Sequence, residues 1–169
     1  MFSAHENLTV FLRNAKSVKT LIYVSETSND VCAEIMEDSL LENWHSVEII
    51  GYNENRYKVI LRSEQYPQTF MVIGWIDKGN CGVYLYGRQR LHNQYAVNLY
   101  QTPQDSKPLK TLLNTYPDSF PQGESGAVPV LDVFYDGTSY WVKTLISLDG
   151  ESIIGWTKDF CPNIYGVCN

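Results

Sequence analysis

The sequence predicts a mainly β protein in which a short N-terminal α-helix precedes two copies of one small β-barrel module. Aromatic residues make up 13% of the chain, with twelve Tyr and four Trp, and such residues favour strands over helices. Short runs of alternating apolar and polar residues are bounded by turn signals. The order of these runs recurs after roughly 80 residues, which indicates an internal repeat.

Composition and charge exclude several classes of protein. Hydrophobic residues make up 44% and charged residues 19% of the 169 residues, which is typical of a folded chain. The net charge of −6 comes without a dense Lys/Arg cluster, so we expect no nucleic acid as partner. No run approaches the roughly 20 apolar residues of a spanning helix, so we expect no membrane span.

The first predicted element is an α-helix within residues 1–18, which we expect to brace the modules. Ser3 followed by Glu6 matches a capping box, in which each side chain accepts a backbone N–H of the first turn. Apolar residues follow at the spacing of one helix face, namely Leu8, Phe11, Leu12 and Ala15. The face lacks an extended basic stripe, which favours packing on the protein over docking on a membrane.

Each copy is predicted to contain three successive strands. These are residues 47–52, 56–61 and 70–75 in the first copy, and residues 130–135, 140–145 and 152–156 in the second. A turn separates the first two strands, formed by residues 53–55 or by Asp136-Gly137. Asp-Gly is a strong hairpin signal because a two-residue turn needs φ above zero at both positions. The third strand of each copy ends in Gly-Trp, at Trp75 and at Trp156.

A weaker strand and a long polar loop precede these strands in each copy. The weak strands are residues 21–24 and 96–100, and the loops extend to Trp44 and Ala127. We place a linker near residues 90–93. The predicted division is a helix at 1–18, a first module at 19–92 and a second module at 93–169. Modules of roughly 75 residues are within the range of small folding domains.

The order of strand, hairpin, strand and closing Gly-Trp resembles the bacterial SH3-like (SH3b) domain family, over most of residues 19–169. The likeness rests on four short motifs: Arg56-Tyr57-Lys58-Val59, Ile73-Gly74-Trp75, Tyr140-Trp141-Val142-Lys143 and Ile154-Gly155-Trp156. The resemblance implies two tandem SH3-like barrels of five to six strands each.

The resemblance also implies a non-catalytic binding module of the bacterial cell envelope. We therefore expect a cell-wall (peptidoglycan) component as ligand and a periplasmic or extracellular location, with the cytoplasm as the alternative. The aromatic and acidic signature with which eukaryotic relatives bind proline-rich peptides is not found here. A protein partner is the alternative ligand, with the chain as an inhibitor or immunity factor of a secreted enzyme, because an acidic surface with exposed aromatics suits that role too.

Aromatic residues beside the two hairpins are the candidate ligand contacts, since turns on a rigid scaffold usually carry recognition. They are Tyr52, Tyr57, Tyr135, Tyr140 and Trp141. When the copies are aligned on their turns, Lys58 takes the place of Trp141, and a core position would not accept Lys. We therefore predict that Trp141 is at least partly exposed, at a ligand groove or at the contact between the modules. Trp75 and Trp156 are expected to cap the barrel ends instead.

An even number of cysteines permits disulfides in an exported protein. The four are Cys32, Cys81, Cys161 and Cys168. Pro162 and Gly166 lie between the last two and can turn the chain so that the sulfurs meet. A bridge between Cys161 and Cys168 is one expectation, and four reduced thiols in a cytoplasmic protein are the other.

Signals for catalysis or metal binding are weak. A Cys-dependent hydrolase needs an imidazole beside the thiol, and the nearest pair in sequence, Cys81 and His92, puts the histidine in the predicted linker. Ser125 lies in a Gly-Glu-Ser-Gly segment like that of trypsin-like proteases, but no His motif precedes it. No Cys-x-x-Cys, His-x-x-x-His, calcium loop or phosphate loop is present. We therefore expect no enzyme, no metal and no cofactor.

Overall fold

The fold is known from a computed structural model that describes residues 8–13, 19–36, 45–63, 71–120 and 127–161. Within these ranges the chain forms fourteen strands and one 3₁₀ turn, without an α-helix. The mainly β class predicted from the sequence is therefore confirmed. The described part of the chain contains no helix long and apolar enough to cross a membrane.

The chain divides into two compact units, Met1–Gly82 and Val83–Asn169. The sequence instead places the boundary between residues 92 and 93, within a predicted linker at residues 90–93. That segment is a hairpin turn, because Leu91 pairs with Gln94 across it. His92 and Asn93 have φ of 51° and 67°, as a two-residue type I′ turn requires.

Among its described residues, unit 1 contains six strands and the start of a seventh. In chain order they are β1 (Leu8–Leu12), β2 (Lys19–Tyr23), β3 (Val31–Met36), β4 (His45–Tyr52), β5 (Arg56–Ser63), β6 (Met71–Asp77) and β7 (Cys81–Leu85). They lie in the order β7-β1-β4-β5-β6-β2-β3. The described pairings between neighbours in this order are antiparallel.

The predicted N-terminal helix is wrong for Leu8–Leu12, which forms strand β1. This strand lies between β4 and β7, and four of its five residues are buried. A strand with both faces buried is a short, nearly continuous apolar run, which periodicity cannot distinguish from a buried helix segment. The β-branched Thr9 and Val10 favour the strand. The capping pair Ser3 and Glu6 lies outside the described residues.

The core of unit 1 is formed by the inward face of the meander β4-β5-β6 with β2. Val47, Ile49, Val59, Leu61, Ile22 and Ile76 are fully buried. On β5, the buried Val59 and Leu61 alternate with the exposed Lys58 and the half-buried Ile60, as strand geometry requires.

The described part of unit 2 contains the rest of β7 and seven further strands. They are β8 (Gln89–Leu91), β9 (Gln94–Leu99), β10 (Lys110–Asn114), β11 (Val128–Tyr135), β12 (Tyr140–Leu148), β13 (Glu151–Thr157) and β14 (Phe160–Cys161). β7 lies beside β11, which is followed by β12 and β13. β14 pairs with β7, and β8, β9 and β10 form a three-stranded sheet.

Both predicted three-stranded meanders are confirmed, as β4-β5-β6 and as β11-β12-β13. Each has a register shift at the same point, between Ile49 and Gly51 or between Val130 and Asp132. The tryptophan of each Gly-Trp pair lies opposite a tyrosine of an earlier segment: Trp75 opposite Tyr23, and Trp156 opposite Tyr100. The two units therefore share a common order of strand pairing.

Two local predictions are wrong in detail. The long first loops contain strands β3 and β10, each of which forms a hairpin with the strand before it. Asp136-Gly137 lies inside a four-residue loop and does not form a two-residue turn by itself, because the last paired residues are Tyr135 and Tyr140. The two-residue Asp-Gly turn is Asp149-Gly150, where φ is positive at both positions.

Candidate functional site

One face of the meander β11-β12-β13 is turned away from the core of unit 2. On β12, Val142, Thr144 and Ile146 are buried in the core. Their alternating neighbours Lys143 and Leu145 are half-buried and point to the opposite side. We call this side the outer face.

Four aromatic side chains and one exposed isoleucine lie on the outer face of unit 2. They are Tyr100, Phe134, Trp141, Trp156 and Ile154, and we call them the aromatic surface. Their common side follows from cross-strand pairing, since Phe134 lies opposite Trp141, Lys143 opposite Trp156, and Tyr100 opposite Trp156. Ile154 is 52% exposed, while Trp156 and Phe134 are partly exposed. Unit 2 therefore presents an apolar, aromatic strip to solvent.

The rings of the aromatic surface contact each other edge to face. The centroids of Tyr100 and Trp141 are 5.4 Å apart with an interplanar angle of 81°, and those of Phe134 and Trp156 are 6.5 Å apart at 80°. This arrangement places the positive edge of one ring against the negative face of the other, which is attractive. The rings are thus held in fixed orientations relative to each other.

Gly155 brings Tyr100 to the edge of β13. The backbone N–H of Tyr100 donates to the carbonyl oxygen of Trp156, and the N–H of Trp156 donates to that of Tyr100, both at 2.8 Å. A Cβ on Gly155 would lie 3.1 Å from Leu99 Cβ and 3.2 Å from the Tyr100 oxygen. The missing side chain therefore allows the close approach, which explains the glycine of the Gly-Trp motif.

Asp136 fixes both the hairpin loop and the indole of Trp141. Its Oδ1 accepts the backbone N–H groups of Thr138 and Ser139 at 2.8 Å each. Its Oδ2 accepts Nε1–H of Trp141, also at 2.8 Å. The bond from Trp141, followed by those from Ser139 and Thr138, lowers the pKa of this carboxyl group. A carboxylate is therefore anchored beside the indole.

Charged groups border the aromatic surface. The Nζ of the exposed Lys158 lies 5.3 Å from the centroid of the Trp141 ring, within the range of a cation–π contact. Asp159 is buried, and its Oδ2 accepts the backbone N–H of Asn98 at 2.9 Å. Burial raises the pKa of Asp159, against the opposing effects of that bond and of the nearby cations.

The predicted exposure of Trp141 is wrong, because only 6% of this residue is exposed. The prediction aligned the two copies at their turns. Because the second hairpin is two residue pairs longer than the first, that alignment matches residues that do not hold the same place in the two units. Counted from the Gly-Trp pairs, Lys58 corresponds to Lys143, since they lie opposite Trp75 and Trp156 respectively. The position of Trp141 is then taken in unit 1 by Arg56.

None of the four predicted tyrosines is part of the aromatic surface. Tyr57 is fully buried in the core of unit 1, which removes it from ligand contact. Tyr52 is 49% exposed, and Nζ of Lys78 lies 5.4 Å from its ring. Tyr135 and Tyr140 contact each other at 4.9 Å on the side of the hairpin opposite to Trp141.

Sequence reasoning missed Tyr100 and Phe134 as members of the site, and it noted Trp156 only as a cap of the barrel. A usable signal was present in the strand alternation. Phe134 lies as far before the hairpin loop as Trp141 lies after it, so the two side chains are opposite each other on one face of the hairpin. Tyr100 carries no such local signal, because it reaches Trp156 only through a pairing between distant segments.

Unit 1 has a different arrangement at the corresponding position. Arg56 is 9% exposed, and its guanidinium carbon lies 3.6 Å from the centroid of the Tyr23 ring. Its Nε donates to Asp77 Oδ1 at 2.9 Å, and its Nη1 donates to the Ser28 carbonyl oxygen at 2.6 Å. Here a buried arginine covers the aromatic ring and ties down the loop at residues 24–30.

The described cysteines differ in state. Cys81 is fully buried, and burial raises the pKa of its thiol strongly, so this side chain is unsuited to nucleophilic attack. Cys32 is an exposed free thiol whose Sγ donates to the Ile22 carbonyl oxygen. Cys161 is disulfide-bonded. Cys168 lies outside the described residues, so the pairing between Cys161 and Cys168 stays a prediction.

The remaining sequence candidates add no chemistry to the site. His92 occupies the exposed hairpin turn between β8 and β9. Ser125 lies outside the described residues. Within the described ranges, no group of three His, Cys, Asp or Glu side chains is placed to hold a metal ion.

Comparison of the chain with protein-family models finds no match, and neither do comparisons with curated proteins and with solved structures.

Proposed function

We propose that this chain is a non-catalytic binding protein of the bacterial cell envelope, built from two tandem SH3-like modules, which binds a cell-wall (peptidoglycan) component. The observation that carries the proposal is the aromatic surface of unit 2. It combines half-exposed Trp156 and Phe134 with the exposed Ile154 on a rigid meander.

Aromatic rings on a rigid sheet suit a carbohydrate ligand. A pyranose ring has an apolar face of C–H groups, which packs against the face of an indole or phenyl ring. The edge-to-face contacts of Phe134 with Trp156 hold the rings in place, so little side-chain entropy is lost on binding. Polar groups at the border, such as Lys143 and Asp136, are placed to bond the hydroxyl or amide groups of the same ligand.

The common strand order supports a repeated SH3-like module. Each unit has a meander with a register shift in its first strand, a two-strand hairpin before the meander, and a Gly-Trp pair opposite a tyrosine. The side chains at the corresponding ring differ, since the buried Arg56 covers Tyr23 in unit 1. We therefore assign ligand binding to unit 2 and a supporting role to unit 1.

The disulfide at Cys161 supports a periplasmic or extracellular location. Disulfides persist in oxidising compartments and are rare where glutathione and thioredoxin keep thiols reduced. An envelope location is the one in which a peptidoglycan ligand is accessible. Together these points favour the wall as the ligand's source.

A protein partner is the second candidate, favoured by exposed apolar residues on the three-stranded sheet and the loops next to it. These are Leu91, Leu109, Leu113 and Tyr116, each 43–63% exposed. Large exposed apolar side chains on one small sheet and its loops are typical of a protein contact site. The net charge of −6 would suit a basic partner, as for an inhibitor or immunity factor of a secreted enzyme.

Co-sedimentation with purified sacculi separates the two candidates. The full chain is mixed with insoluble peptidoglycan, and the bound fraction is measured against a titration of the protein. We expect saturable binding that soluble wall fragments compete away. Failure to sediment, together with one stoichiometric protein recovered from an extracellular fraction, would replace the wall with a protein ligand.

A further inference from the structure

The ammonium group of Lys158 occupies a defined position over the indole of Trp141. Its Nζ lies 5.3 Å from the ring centroid. Its charge also acts on Asp136 and Asp159, and it favours the ionised form of both carboxyl groups. An aromatic face with carboxylates on its border is the chemistry that proteins use to bind organic cations.

The indole that receives this cation is held on two other sides. Its Nε1–H donates to Asp136 Oδ2 at 2.8 Å, and Tyr100 contacts it edge to face at 5.4 Å. Trp141 is also 94% buried, since 6% of it is exposed. The ring is therefore a fixed platform, whereas the Lys158 side chain is exposed at the surface.

Unit 1 also holds a cation over an aromatic ring, at a different position in the strand register, and there the cation is locked in place. Arg56 combines its contact with Tyr23 with an ion pair to Asp77 and a bond to the Ser28 carbonyl oxygen. Among the described residues, Lys158 makes neither an ion pair within 4.0 Å nor a hydrogen bond. A group held only by a cation–π contact and longer-range attraction is readily exchanged for a similar one.

We propose that Trp141 and Asp136 form a binding site for a primary ammonium group of the ligand, which Lys158 fills in the free protein and leaves when the ligand binds. The proposal rests on the proposed function, and it assigns the ammonium group to a free side-chain amine of a diamino acid in the wall peptide. The aromatic surface beside it then receives the sugar.

A titration with a small cation tests the site without the cell wall. The probe is Nα-acetyl-lysine amide, and its neutral Nε-acetylated form is the control ligand. The readout is the indole N–H resonance of Trp141, which reports on its bond to Asp136. We expect the Lys158→Met variant to bind the cationic probe about fivefold more tightly than wild type, because the internal competitor is gone. Lys110→Met, which removes an exposed lysine on β10, should bind like wild type.

A second variant removes the carboxylate and keeps the fold. Asn53 caps the first hairpin through its side-chain oxygen, which accepts the backbone N–H groups of Asn55 and Arg56. Asp136→Asn should therefore keep the bonds to its loop, while it loses both the charge and the acceptor for Nε1–H of Trp141. We expect it to bind the cationic probe at least tenfold more weakly. Equal binding of the cationic and neutral probes, or no gain in Lys158→Met over Lys110→Met, would overturn the site.

Sacculi treated with acetic anhydride identify the source of the amine, since acetylation removes its charge. We expect the full chain to bind native sacculi and to lose at least tenfold in affinity for acetylated ones. Undiminished binding to acetylated sacculi overturns the assignment to the wall amine and leaves the proposed function standing. Absence of binding to native sacculi refutes the proposed function, and the probe titration then decides the ammonium site alone.

Discussion

Gly74 allows two strands of unit 1 to approach each other at the Gly-Trp motif. A Cβ built on it would lie 2.5 Å from Ile22 Cγ2 and 2.9 Å from the carbonyl oxygen of Tyr23. The same construction at Gly155 in unit 2 gives closest distances of 3.1 Å and 3.2 Å. At Gly51 the nearest atom, Lys58 Cβ, lies 3.5 Å away, which is ordinary contact. The space available for a Cβ therefore increases from Gly74 through Gly155 to Gly51.

The expected change in unfolding free energy follows from two opposing terms. Replacing Gly by Ala reduces the freedom of the unfolded chain and stabilises by about 0.4–1 kcal/mol where the backbone permits it. Forcing an atom into occupied space costs about 1–3 kcal/mol. We therefore expect Gly74→Ala to destabilise unit 1 by about 2 kcal/mol, Gly155→Ala to change unit 2 by less than about 1 kcal/mol, and Gly51→Ala to be neutral or slightly stabilising.

Urea unfolding followed by assigned amide resonances measures these changes unit by unit. Resonances of β5 report on unit 1 and those of β12 on unit 2, so two transitions are fitted separately. Gly51→Ala is the matched control for Gly74→Ala, because both lie in the same meander. If Gly74→Ala proved as stable as Gly51→Ala, the close approach of β2 to β6 described above would be wrong.

Three further predictions concern buried polar groups. Thr144 is buried, and its Oγ1 has no hydrogen-bond partner among the described residues. Val59 takes its place in unit 1, so Thr144→Val should stabilise unit 2 by about 1 kcal/mol in urea unfolding. A loss of stability in this variant would instead show that Oγ1 has a partner. Arg56→Met should speed hydrogen exchange of the Val24 amide, which donates to the carbonyl oxygen of Asp30. It should also lower the unfolding free energy of unit 1 by about 1–3 kcal/mol. Unchanged exchange would contradict the role of Arg56 in anchoring this loop. The pKa of Asp159 is raised by burial, so its folded form binds protons more readily than its unfolded form. Wild type should therefore lose stability relative to Asp159→Asn as the pH rises from the ordinary value of 3.8 through the raised folded pKa, and a pH-independent difference would refute this.

Local sequence patterns predicted the two meanders because their information is contained in neighbouring residues. The alternation on β5 and β12, the turn residues between strands and the Gly-Trp pairs all act over a few residues. Strand β1 was predicted wrongly because burial on both faces removes the alternation that marks a strand. Its pairing with β4 and β7 depends on segments far along the chain.

The site was predicted only in part for a related reason. Trp141 was identified as a site residue, but its burial was not predicted. The burial depends on contact with Tyr100, and the second hairpin has two extra residue pairs, which shift its register relative to the first hairpin. A turn-based alignment cannot detect this extension, because both copies have suitable turn residues. The register of the Gly-Trp strand shows it, since Lys58 and Lys143 both lie opposite a tryptophan.

The proposed binding of the cell wall by the aromatic surface of unit 2 can be tested with a pair of tryptophan variants. Trp156 and Trp75 hold equivalent places in the two units, each partly exposed and each opposite a lysine. The measurement is the dissociation constant for purified sacculi of Trp156→Ala and Trp75→Ala, with folding of both checked by amide resonances. We predict that Trp156→Ala binds more than tenfold more weakly than wild type, as loss of a central aromatic contact implies, while Trp75→Ala binds like wild type. Equal losses in both variants, or none in Trp156→Ala, would contradict the account.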